Sequence, residues 1–65
     1  MELSTKTTRR LLEEAGAEDV EEDAAEELAD TIELFAGYIS EEAVGIAQES
    51  KRKVITKDDV EQALE

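Results

Sequence analysis

Residues 21–49 read EEDAAEELADTIELFAGYISEEAVGIAQE, and the fold of the 65-residue chain follows from how that stretch is read. Leu28, Ile32, Phe35, Ile39, Ala43 and Ile46 recur at steps of three and four, which places one apolar stripe on an α-helix. A second row, Ala25, Ala29, Ala36, Ala43 and Ala47, runs beside it and is small enough to let another backbone approach closely. No proline interrupts the stretch. As one helix it is about 42 Å long at ~1.5 Å per residue, longer than any globule the remaining residues could build. The stripe therefore has no covering surface within its own chain and calls for a partner.

Composition narrows the alternatives. A chain this short makes one small domain, residues 1–65, which needs a staple or an oligomer to enclose a sizeable core. With no cysteine and no histidine, disulfides and the usual zinc sites are excluded, and association remains. No apolar run approaches the length of a membrane span, and residues 1–10 have no apolar signal-peptide centre; the expectation is an intracellular protein, cytoplasmic or on the chromosome, with no membrane partner. One Tyr, one Phe and no Trp leave little for a base-stacking platform. Seven basic against 19 acidic residues give a net charge of −12, which taken alone argues against nucleic acid.

Outward from the long helix, the chain reads as helix, turn, long helix, turn, short helix, an all-α protein. Ser4 or Thr5 can cap a first helix that ends at Gly16, with Leu3, Thr7 or Thr8, Leu11, Leu12 and Ala15 on its inner face. Glu21, Glu22 and Asp23 put negative charge at the positive end of the long helix. After Ser50 the basic run Lys51-Arg52-Lys53 leads into Val54 and Ile55, read as a turn and a very short extended segment. Thr56 with Asp59 three residues on forms a capping box, so a last helix starts near Lys57 with Val60, Ala63 and Leu64 inward. Gly37 reads as a neutral surface glycine; Gly45 could be that or a point of close backbone approach.

The paired carboxylates Glu13-Glu14 and Glu41-Glu42 diverge by about 100° on a helix and read as solvated faces rather than a catalytic dyad. There is no candidate nucleophile arrangement, glycine-rich phosphate loop or metal-ligand spacing. The reading is no enzyme, no catalytic residue, no metal and no cofactor.

Met1-Glu2-Leu3, Ala15-Gly16-Ala17-Glu18, Arg52-Lys53 before Ile55, and Asp59-Val60-Glu61 fall in one register, and on them the chain resembles an archaeal-type histone over its whole length. The resemblance implies the histone fold, short helix, long central helix, short helix, with two chains clasped in a handshake homodimer whose core holds Leu28, Ile32, Phe35, Ile39 and Ile46. It also implies non-specific binding of double-stranded DNA, for compaction or chromatin organisation. All seven basic residues lie in two clusters, Lys6, Arg9 and Arg10, then Lys51, Arg52, Lys53 and Lys57, and the family's dimer gathers such positions on one convex face.

By resemblance Arg10 and Lys53 are DNA contacts, with Lys6, Arg9, Lys51 and the backbone of Val54 beside them, and Arg52 pairs with Asp59 as a structural salt bridge. Two positions depart from the pattern: Asp19 stands where an arginine is common, and Val54 where a threonine is. They imply DNA affinity that is weak for the family or adapted to unusual salt. They equally fit an alternative, an acidic histone-fold interaction module that leaves DNA alone and pairs with another histone-fold chain or with a component of a larger assembly. Dimers of the family often stack through the end of the long helix and the last helix; here Glu49 would meet Asp59, so dimers are expected in dilute salt.

Overall fold

The computed structural model describes residues 3–65; Met1 and Glu2, which open the chain, lie outside the described residues. Three helices follow one another, α1 (Thr5–Glu14), α2 (Glu22–Glu49) and α3 (Lys57–Ala63). No strand occurs among the described residues; Val54 lies in a bend and Ile55 in irregular backbone before α3. The residues group into two compact units, one ending at Leu34 and one beginning at Phe35, and α2 runs through both.

In the first unit α1 starts where its sequence says it should. Ser4 is extended, at φ −67° and ψ 133°, and its Oγ accepts the N–H of Lys6 at 3.2 Å. Gly16 ends the helix at φ +117°, where an L side chain would be strained. That conformation lets Gly16 N–H reach Glu13 C=O and Ala17 N–H reach Leu12 C=O, both at 3.0 Å, which satisfies two otherwise unpaired carbonyls. Thr8 is fully buried, and its hydroxyl donates to Ala25 C=O of α2 at 2.8 Å. Val20, Ala25 and Ala29 complete the buried set, and Leu3 N–H donates to the Glu33 carboxylate. The inner face of α1 is narrower than expected: Thr8 is buried, Leu3, Thr7 and Leu12 are half-buried, and Leu11 and Ala15 are exposed.

In the second unit Ala43, Ala47 and Asp59 are buried. The alanine row is thus what the chain covers by itself, save Ala36, which stays exposed. Small side chains cover little apolar area but permit close packing, which is how two short helices can anchor on a long one. The large side chains are left over. Phe35 is 59% exposed, and Leu28, Ile32, Ile39 and Ile46 are only half-buried. Leu34 and Tyr38 are exposed as well. Among the described residues nothing packs against Gly37 or Gly45: a Cβ at either would meet no atom of another segment within 4 Å.

α3 begins with the expected capping box. Thr56 Oγ1 accepts Asp59 N–H at 3.3 Å, and Asp59 Oδ2 accepts Thr56 N–H at 2.9 Å. Its inner face departs from expectation, because Val60 and Leu64 are exposed, Leu64 by 58%, while Ala63 is half-buried. The anchor of α3 within the chain is the carboxylate of Asp59.

Candidate nucleic-acid interface

The second turn, residues 50–56, is braced at both ends. At its start Lys51 N–H donates to Gln48 C=O and Arg52 N–H to Ala47 C=O, each at 2.9 Å, closing α2 with Lys51 at φ +59°. At its end the Arg52 guanidinium forms a two-pronged bond to Asp59, Nη1 to Oδ2 and Nη2 to Oδ1, both 2.7 Å. Nη1 also donates to Val54 C=O at 3.3 Å. The Asp59 side chain is nearly inaccessible, so a charge-assisted fork of this length is what keeps it ionised. Arg52, with the N–H of Thr56, holds the Asp59 carboxyl well below the usual carboxylate range, and Asp59 in turn raises Arg52.

Between these braces the turn points its donors outward. Lys51 and Lys53 are exposed and form no ion pair among the described residues. The backbone N–H groups of Lys53, Val54 and Ile55 find no acceptor among the described residues. Val54 has the most exposed large apolar side chain of those residues, at 71%. Lys57 pairs at 3.6 Å with Glu61, four residues on. The arrangement offers ammonium groups and N–H donors to an oxyanion from a backbone fixed by Arg52 and Asp59.

The first basic cluster lies in the other unit, along α1, where Lys6, Thr7, Arg9, Arg10 and Glu13 line a shallow groove. Its members differ in how far they are engaged. Arg9 Nη1 donates to Val20 C=O at 2.6 Å and Nη2 to Glu22 at 3.0 Å, so this side chain ties α1 to the link before α2. Arg10 reaches Glu14 at 3.8 Å, and both side chains are mostly exposed, a pair too weak to hold the guanidinium away from another anion. Lys6 is exposed and has no ion pair among the described residues. Asp19 Oδ1 accepts Val20 N–H at 2.9 Å, which places a carboxylate on a donor of the first turn.

Sequence reasoning did not find three of these features. The span from Arg9 to Val20 and Glu22 crosses a link and has no local spacing signal. The free N–H groups at 53–55 were legible only in part, as a turn between two capped helices. Lys51 in a left-handed conformation had no signal, because that position favours glycine. Asp59 also bears on the expected stacking of dimers: its carboxylate is buried against Arg52, which removes the free charge that Glu49 of a neighbouring dimer was expected to meet.

Two short helices on a 28-residue helix, joined by turns of which the second is basic and braced, define a histone-fold protein. The family described as histone-like transcription factor (CBF/NF-Y) and archaeal histone matches residues 1–64. Among its relatives, one of the subunits of archaeal histone HAN1 from Thermococcus zilligii is 38% identical over 63 residues, covering 97% of this chain and 94% of that protein. Probable archaeal histone 3 of Methanocaldococcus jannaschii is 36% identical with the same coverage of each chain. The chain belongs to this family of histone-like transcription factors and archaeal histones, and it is not an enzyme.

Proposed function

We propose that this protein is a histone that binds double-stranded DNA as a homodimer, without sequence preference, and compacts or organises the chromosome inside the cell. The observation that carries the reading is the second turn: ammonium groups at Lys51 and Lys53 and three N–H donors, none with a partner among the described residues, stand on a backbone locked by Arg52 and Asp59. Phosphate oxygens accept from such donors whatever the base sequence. Arg10 and Lys6 add cations on α1, and Arg9 acts chiefly by fixing the first turn. The homodimer is supported by the large side chains that the chain leaves uncovered, Phe35 above all.

A net charge of −12 does not oppose this, because screening at 0.15 M salt confines exposed charges to about 8 Å, and 14 of the 19 acids lie between residues 11 and 50, where there is no Lys or Arg. The HAN1 relative is named as one subunit of a histone, which supports testing for a second histone-fold chain beside the homodimer. The test of the reading is a titration of duplex DNA across a wide salt range, with the mass of the protein measured in parallel. Binding that is sequence-independent, dimeric and steeply salt-dependent is the expected result. No binding at low salt would leave the acidic interaction-module reading in its place.

A further inference from the structure

The last turn of α2 ends on a residue poorly suited to its conformation. Lys51 has φ +59°, alone among non-glycine residues described in having a positive φ, and it occupies the position after the helix end that glycine fills at Gly16 of α1. A β-carbon in this region crowds the neighbouring carbonyl and disfavours every residue but glycine and, to a lesser degree, asparagine. The same closing pattern is thus made twice in one chain, once with the residue folding prefers and once without it. Both bonds of the pattern form at 2.9 Å, so the helix closes fully despite the lysine.

We propose that Lys51 is retained for its charge at the expense of stability: its ammonium is a phosphate ligand of the second turn, held in a conformation that a glycine would adopt more easily. The inference rests on the proposed DNA binding and deepens it by naming the residue on which stability and binding oppose each other. Strain of this kind persists where the surroundings fix it, and here Gln48, Ala47 and the Arg52–Asp59 fork do so. The competing explanation is that a cation after the C-terminus of α2 favours the helix dipole, since the last turn of α2 holds no basic residue. The two explanations predict opposite signs for removal of the lysine.

The experiment compares the unmodified protein with Lys51→Gly, Lys51→Asn and Lys51→Arg at one protein concentration, by thermal melting and by titration of a duplex DNA at several salt concentrations. Lys51→Gly should raise the melting temperature by about 4 °C or more and weaken DNA binding at low salt several-fold. The log–log salt slope should flatten by about 1.8 per dimer, two phosphates at ~0.9 each. Lys51→Asn should weaken binding equally with a smaller gain in melting temperature, and Lys51→Arg should leave both near the unmodified values. A lower melting temperature for Lys51→Gly would overturn the proposal in favour of the dipole. Unchanged affinity and slope in both neutral variants would overturn it with the DNA reading intact, whereas absence of binding by the unmodified protein would overturn both.

Discussion

Arg52 and Asp59 meet through two bonds of 2.7 Å, and the same carboxylate caps α3 by accepting Thr56 N–H. One side chain therefore fixes the second turn and starts the last helix. Because pairing depresses the folded-state pKa of Asp59 below its unfolded value, its contribution to stability is complete above an unfolded carboxylate pKa of about 3.9 and is lost progressively as pH falls below it. Asp59→Asn should be less stable than the unmodified protein at pH 7. The gap should narrow as pH is lowered from 5 to 2; chemical denaturation of both proteins at matched pH and concentration measures it, and a constant gap would contradict the pairing. Arg52→Ala strands a buried carboxylate, so it should lower stability at pH 7 and release α3.

The helix boundaries were legible in the sequence because their causes are local. Ser4, Gly16 and the Thr56/Asp59 box act on backbone groups within a few residues, and each appears as read. The sorting of apolar residues was less legible, since periodicity shows which residues share a stripe but not what covers it. Two rows on α2 were visible; that the alanines serve the chain's own packing while Phe35 stays open depends on tertiary structure. Val60 and Leu64 looked like the inner face of α3, yet the helix is held through Asp59, a partner choice no hydrophobic pattern reveals. At the basic clusters the composition located the cations, whereas their engagement, as with Arg9 on Val20, followed only from geometry.

Packing of α1 on α2 runs through Thr8. Its buried hydroxyl donates to Ala25 C=O, with Thr5 C=O at 3.1 Å as a second acceptor. Thr8→Val keeps the shape and removes the donor, and should cost about 1 kcal/mol. Ala25→Leu instead forces bulk into a fully buried position and should cost about 1–3 kcal/mol. Denaturant unfolding monitored by far-ultraviolet dichroism reads both changes. A tolerated Ala25→Leu would mean that the alanine row is not the packed face.

Folding and dimerisation should be one event. Burying a side chain such as Phe35 or Ile39 is worth about 1.5–3 kcal/mol, and the chain alone leaves both substantially open. The melting temperature should therefore rise with protein concentration. Ile39→Asp should leave an unfolded chain. A compact monomer with a concentration-independent transition would rule out the handshake.

DNA binding should separate residues that touch phosphate from residues that hold the turns. Lys53→Glu and Arg10→Glu, each acting twice per dimer, should lower affinity and flatten the salt slope with helicity unchanged, because neither side chain is engaged in a strong bond among the described residues. Arg9→Ala should behave differently: it removes the bonds to Val20 C=O and Glu22, so stability should fall together with binding. Asp19 sits on Val20 N–H, a donor that a phosphate could otherwise use. Asp19→Arg with Val54→Thr should then tighten binding and steepen the slope by about 0.9 for each phosphate gained. Duplex titrations at several salt concentrations, paired with dichroism of each variant, distinguish these outcomes. Binding that survives reversal of both Arg10 and Lys53 would place the DNA on another surface of the dimer.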